Sequence, residues 1–259
     1  MDLEIKDQHF LVTGASSGFG RAIAERLLSE GAHVITVARR KEKLQDLHNL
    51  GGNRVTIIQG DLTQDALIDT IIDQVSTLDT LSGAVLNAGG PPPGAANDTP
   101  IEQWDEAYQL VMRWKILLAQ QLTAIMKEQH YGRLIFVESG SIKQPVPNLV
   151  LSNAFRAGVA GFAKTLSQEI ASFGITVNLL APGAHDAPAI ERVIRSKAEK
   201  EQISYEQAQQ ALEQTIPVKR LGEPEEMASL AAWLLSKHAG YVTGQTISHD
   251  GGKNSSLFG

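Results

Sequence analysis

Three short stretches combine residue types and spacings that can do chemistry. The first is "LVTGASSGFGR", which places Gly14, Gly18 and Gly20 between an apolar run and a helical pattern. Glycines there permit a tight turn and a close approach of backbone amides to a pyrophosphate, and the helix N-terminus adds unpaired N–H groups and a positive dipole end. Dinucleotide binding is the expectation. The second is "VARRK", where Arg39 and Arg40 stand at the end of the next apolar run. An acidic residue at that place would suit the ribose 2′-hydroxyl of NAD, whereas a guanidinium suits a 2′-phosphate. NADP(H) is therefore favoured over NAD(H). The third is "LSNAFRAG", in which Ser152 and Arg156 lie four apart and share one helix face. A solvated stripe or a structural ion pair is the plain alternative for that pair.

These residues need a frame. Short β-branched runs alternate with longer helical segments: "HFLVTG" then Gly18 to Glu30, "AHVITVA" then Lys41 to Leu50, "RVTIIQGD" then Gln64 to Thr77. The alternation continues with "SGAVLNAG" then a long helix from Ile101 to His130, "GRLIFVES" then Leu149 to Phe173, and the strands "ITVNLLAPG" and "GQTISHDGG". Such alternation predicts an α/β fold, a doubly wound parallel sheet whose strands are apolar on both faces. With no repeat and no linker, residues 1–259 read as a single Rossmann domain. Two segments interrupt the rhythm at strand C-terminal ends, where open α/β sheets bind ligands. One is the proline-rich loop "GGPPPGAANDTP"; the other is residues 185–226, a charged helical insertion before the last helix, with a capping box at "SYEQ".

The totals bound the function. The chain has 259 residues, 42% hydrophobic and 20% charged, with a formal net charge of −6, and carries no basic block, which argues against nucleic acid as the main partner. Zero cysteines exclude disulfides, thiol catalysis and cysteine-ligated metals, and fit a cytoplasmic setting. The N-terminal residues run into a strand without an apolar leader, and no run reaches membrane-spanning length, so neither a membrane nor a metal is expected as a partner.

The chain resembles the short-chain dehydrogenases/reductases along essentially its whole length, and among them the 3-oxoacyl-(acyl-carrier-protein) reductases. "TGASSGFG" is similar to the family's glycine motif, "GDLT" to its adenine-side segment, "LNAGG" to its NNAG motif with Leu86 in place of the first Asn, and "APG" to its PG motif. "RLGEPEEMA" and "YVTGQTISHDGG" resemble its C-terminal signatures. The resemblance implies a cofactor site of Gly14, Ser16, Ser17, Gly18, Phe19, Gly20, Arg39, Arg40, Asp61, Leu62, Asn87, Ala88, Gly89, Arg156, Pro182 and Gly183. It also implies a homodimer or homotetramer built on the two long helices.

The family's catalytic set is Asn, Ser, Tyr and Lys, and here only the serine is kept. Ser139 holds its place, but the tyrosine position falls on Ser152, the lysine position on Arg156 and the asparagine position on Val111. Tyr108, Tyr131, Tyr205 and Tyr241 offer no substitute, and Ala187 stands where the family usually has a carboxamide-holding threonine. The catalytic candidates are thus Ser139, Ser152 and Arg156. Arg156 cannot be a general acid, but it can bind ribose hydroxyls, an oxyanion or a carboxylate. The expected function is an NADP(H)-dependent oxidoreductase acting on a small carbonyl or alcohol, with solvent relayed by Ser139 and Ser152 as proton source and His185 as a second candidate. The alternatives are a catalytically impaired homologue that binds NADPH as a sensor or regulatory subunit, and a scaffold with a structural nucleotide. Glu138, Ser141 and Lys143 stand beside Ser139 without an assignable role.

Overall fold

In the computed structural model, which describes residues 1–257, seven strands form one parallel sheet in the order β3-β2-β1-β4-β5-β6-β7. They are β1 His9–Thr13, β2 His33–Ala38, β3 Val55–Gln59, β4 Gly83–Leu86, β5 Gly132–Val137, β6 Ile175–Pro182 and β7 Thr246–His249. Every residue of β4, β5 and β6 is buried, as apolar strands covered on both faces must be. The order reverses between β1 and β4, which pair directly from Phe10 opposite Gly83 to Val12 opposite Val85. A crevice therefore opens at their C-terminal ends.

Two helical layers cover the sheet. Helix α1 (Gly18–Ser29), α2 (Lys41–Gly51) and α9 (Pro224–Leu235) pack on one face through Ile23, Leu27, Leu44, Leu47 and Leu235. On the other face lie α3 (Asp65–Ser76), α5 (Trp114–Gln129) and α6 (Val150–Ile170), through Ile68, Ile71, Leu118, Leu122, Val159 and Ala163. Each contributes an apolar stripe at helical spacing, and burial of that stripe supplies most of its stability.

The expected long helix over Ile101–His130 is not uniform. Helix α4 (Ile101–Tyr108) and α5 are joined by a π-helical turn, Gln109–Arg113. The wider turn disturbs the ordinary ladder of backbone bonds, and the Trp114 indole N–H donates to the Leu110 carbonyl at 2.8 Å.

The proline-rich loop is pinned rather than free: Gly94 donates to the Asn148 carbonyl at 2.8 Å, and Val150 donates to the Gly94 carbonyl at 3.2 Å. Residues 185–226 form α7 (Pro188–Glu201) and α8 (Tyr205–Gln214), then a connection leading into α9. Ile194, Ala208, Ile216 and Leu221 give this insertion a small core of its own. The capping box forms, with Ser204 and Gln207 exchanging side-chain and backbone bonds at 3.0 and 3.2 Å.

Candidate active site

The crevice between β1 and β4 is a cavity of about 570 Å³. Its wall includes Gly14, Ser16, Ser17, Gly18 and Phe19 from the turn into α1, Arg39 and Arg40 after β2, Asp61 and Leu62 after β3, and Asn87, Ala88 and Gly89 after β4. Twelve of the sixteen sequence-predicted cofactor residues, from four separate connections, thus share one cavity, whereas Gly20, Arg156, Pro182 and Gly183 do not line it. Ala187, noted in the sequence only as a departure from the family's threonine, also lines it, and Leu110, Trp114, Pro188 and Arg192 join the wall without having been anticipated.

Steric limits explain the glycines at the turn. Gly14 has φ +62°, and a Cβ there would sit 2.6 Å from the Asn87 carbonyl oxygen. A Cβ on Gly20 would sit 2.4 Å from the Gly14 carbonyl oxygen. Both distances are far inside van der Waals contact, so α1 can close onto the strand ends only without side chains there. Thr13 holds the same junction: its Oγ1 accepts from the Asn87 N–H and donates to the Asn87 carbonyl, each at 2.8 Å.

Electrostatics favour an anion at the turn. The first turn of α1 carries no acidic side chain, and its N-cap Ser17 makes no side-chain cap bond. Its opening N–H groups therefore face the crevice with the positive dipole end. Arg40 Nη2 donates to Ser17 Oγ at 2.7 Å and to Ser16 Oγ at 2.9 Å, so a guanidinium sits across the loop. Asp61 accepts from the Thr63 N–H at 3.0 Å and the Thr63 hydroxyl at 2.9 Å. The Thr63 backbone bond is the main reason its carboxyl is held below the usual carboxylate range. Open backbone donors, two arginines and a fixed carboxylate at the far end fit a nicotinamide dinucleotide with a 2′-phosphate.

Pro182 and Gly183 lie outside this wall. Pro182 closes β6, and Gly183 packs on Asp250 while donating to the His249 carbonyl at 3.0 Å. The wall on that side comes from Ala187 and Pro188, at the start of α7. His185 is also occupied elsewhere. It is buried, stacks edge-on against Phe19, and its Nε2 lies 2.8 Å from His249 Nδ1. Burial pushes its pKa down from the ordinary histidine value. It lines a separate cavity of about 300 Å³ between the insertion and β7, together with Arg220, Glu226, Ser248 and Asp250.

Behind the cleft wall stands a cluster of buried charge that the sequence does not announce. Glu138 follows β5 directly, with its N–H held by the Leu180 carbonyl at 2.8 Å, and its side chain is fully buried. Its Oε1 accepts from Lys115 Nζ at 2.5 Å and its Oε2 from Arg156 Nη1 at 3.0 Å. Arg156 Nε donates to Ser152 Oγ at 3.0 Å. So Ser152 and Arg156 do meet across one helical turn, but two edges of the guanidinium are already committed. A bidentate grip on a carboxylate, one expectation for Arg156, would have to displace Glu138 or Ser152. The remaining Nη2 lies against Gly90, where an added Cβ would come within 3.1 Å. Gly90 itself lines the cleft, but Arg156, Ser152 and Ser139 do not, so the guanidinium lies behind the Gly90 backbone rather than in the cofactor cavity.

Ser139 adjoins Glu138 and caps the short turn Gly140–Ile142, its Oγ accepting from the Ser141 N–H at 3.2 Å. The Ser141 hydroxyl is buried and has no partner among the described residues. Val111, at the asparagine position, is buried within the π turn.

Comparison with known proteins agrees with this architecture. The family described as Enoyl-(Acyl carrier protein) reductase matches residues 14–254. Over 250 residues the chain is 33% identical to the 3-oxoacyl-(acyl-carrier-protein) reductase FabG of Rickettsia bellii, covering 96% of this chain and 98% of that protein. It is 29% identical over 255 residues to the NADPH-dependent reductase BacG of Bacillus subtilis, covering 95% and 97% of the two chains. The structure of L-sorbose reductase from Gluconobacter frateurii, complexed with NADPH and L-sorbose, superposes with a TM-score of 0.93 at 28% identity, covering 99% and 100%. With the sheet order, the cleft at the switch point and these relatives in agreement, the chain belongs to the short-chain dehydrogenase/reductase family of oxidoreductases.

Proposed function

We propose that this protein is an NADP(H)-dependent oxidoreductase that moves a hydride to or from a small carbonyl or alcohol compound, using a non-standard proton donor. The observation that carries this reading is the single cleft in which the glycine turn, Arg39, Arg40, Asp61 and the Asn87-Ala88-Gly89 segment converge. The NADPH dependence named for BacG and the NADPH held by L-sorbose reductase support the cofactor. Arg40 across the Ser16-Ser17 loop supports the 2′-phosphate.

The cofactor, when bound, supplies the hydride. The chain's own residues would do the rest. Gly14 and Gly20 let the α1 N-terminus approach the pyrophosphate, and Asp61 and Leu62 bound the adenine end. Arg156 donates to Ser152 Oγ, which occupies an oxygen lone pair and leaves the hydroxyl proton free to point at a substrate oxygen. The guanidinium also favours negative charge developing on that oxygen. Ser139 orients the carbonyl, and solvent passing between Ser139 and Ser152 supplies the proton. A serine is a weaker acid than a phenol, so turnover should be slower than with a tyrosine, because a positioned acid contributes about 10²–10⁴-fold. Residues 185–226 would form the substrate side of the pocket, and the outer faces of α5 and α6 a dimer or tetramer contact. No helix among the described residues is long and apolar enough to cross a membrane.

The test requires no guess at the substrate. NADPH deuterated at the transferable position is incubated with the protein and a small-molecule extract of its source cells. Mass spectrometry should find a compound with new carbon-bound deuterium that is absent with Ser139→Ala and with boiled protein. No label in a preparation that binds NADPH would overturn hydride transfer and leave a nucleotide-sensing role.

A further inference from the structure

We propose that Lys115 and Glu138 are positioning residues for this site: they lock the Arg156 guanidinium against Ser152, and the ionisation of Lys115 sets the field at the Ser152 hydroxyl. The proposal rests on the reading of Ser152 as the hydroxyl that faces the substrate.

Three elements build the cluster. Lys115 comes from the first turn of α5, just after the π turn; Glu138 follows β5; Arg156 and Ser152 come from α6. The Lys115 and Arg156 side chains are 1% and 8% exposed. Burying such charges costs several kcal/mol per ion before their attraction offsets it, and apolar residues of similar volume commonly stabilise a fold as well or better. A cluster that only filled space would therefore have little reason to be ionic. This one has a direction. Glu138 is the shared acceptor, so each cation fixes the carboxylate for the other, and the chain of contacts ends on Ser152.

The three charges sum to +1 when Lys115 is protonated and to zero when it is neutral. The groups facing Lys115 are Glu138 from β5, Arg156 from α6 and the Trp114 ring on its own helix, whose centroid lies 5.7 Å away. Burial, with help from Arg156 and against the pull of Glu138, brings Lys115 down to about 8. Arginine does not release its proton in proteins, so Lys115 acts on Ser152 through its field and not as a proton relay. The protonated state favours negative charge on an oxygen beside Ser152. Proton delivery to a carbonyl should therefore weaken as pH rises through the Lys115 transition.

The test follows the Nε–H resonance of Arg156 by NMR in full-length protein carrying isotope-labelled arginine, with the signal identified by its loss in Arg156→Lys. In the unsubstituted protein the resonance should shift between about pH 6.5 and 9.5, with its midpoint near the Lys115 value. Lys115→Met should abolish that shift. Glu138→Gln should speed exchange of the Arg156 Nε–H with solvent by at least about tenfold, since the charged bond at Nη1 that locks the guanidinium against Ser152 is lost. A resonance that stays fixed through this range in the unsubstituted protein, or that titrates unchanged in Lys115→Met, would overturn the proposal. If a variant does not fold, the unsubstituted titration decides alone. The titration contains neither substrate nor NADPH, so its failure is distinguishable from a failure of hydride transfer.

Discussion

The two ends of the crevice use polar groups in opposite ways. At the β1/β4 end the polarity is open. Backbone amides, exposed arginines and glycines without side chains surround a cavity. At the β5/α6 end the polarity is closed, with a carboxylate, an ammonium and a guanidinium packed against one another out of water. The glycine turn of the first arrangement is marked by residues near one another in sequence, because a tight turn needs the right small residues in order, although Asn87 must still pack against it. The second forms only if three distant elements arrive together, because each of its charges buried alone would be destabilising. The nucleotide end thus announces itself in a short motif even though the fold must bring its connections together, while the reaction end leaves no such motif.

Breaking the closed end should have the largest effect. Glu138→Ala leaves two buried cations without their shared partner, and unpaired buried charge costs about 3–5 kcal/mol. Urea unfolding should show that loss, and a cost under about 1 kcal/mol would mean the cluster opens to water. Next in size is a pH signature. The folded pKa of Lys115, about 8, lies below the unfolded value of roughly 10.4. Between those values the unfolded chain holds the proton more tightly, so stability rises with pH, by at most roughly 3 kcal/mol. Relative to Lys115→Met, the unsubstituted protein should gain stability from about pH 8 to 10. A flat difference would show that Lys115 is not buried as a cation.

The open end should respond in affinity first. Arg40→Ala should weaken NADPH binding about ten- to a hundredfold, the value of a charge-assisted bond, and leave NADH binding nearly unchanged. Fluorescence titration with both nucleotides checks this; equal losses would assign Arg40 to holding the Ser16-Ser17 loop. Gly20→Ala is the smallest in stability. It forces a Cβ against the Gly14 carbonyl, and overpacking of that kind costs about 1–3 kcal/mol. Thermal unfolding together with NADPH titration should show both defects; a variant that binds normally would show that α1 can slide away.

The difference between the two ends also explains what could be read in advance. The strand–helix alternation, the capping box at Ser204 and the glycine turn were legible because each follows from period or local sterics. The long helix was legible except for its π turn, since a widened turn leaves no mark in hydrophobic spacing. Glu138 stood out only as a charge at the end of the apolar run "RLIFV", and Lys115 was not singled out at all. The one usable sign was that Lys115 precedes the apolar "ILLA" on the face that continues into Leu118 and Leu122. His185 reads as a second candidate proton donor in sequence, yet it is buried against Phe19 and His249, away from the cofactor cavity.

By itself the sequence determined the parallel sheet, the switch-point crevice and a turn shaped for a dinucleotide. These follow from strand–helix periodicity and from which residues lack a Cβ, and both are written in short stretches of sequence even where, as at Gly14, the contact that demands the glycine comes from Asn87. Only the tertiary structure decided what Arg156 holds. Its partners come from positions 18 residues back and 4 residues back, and the lysine opposite lies 23 residues before Glu138. Burial makes those charges interact strongly, and burial belongs to the assembled fold.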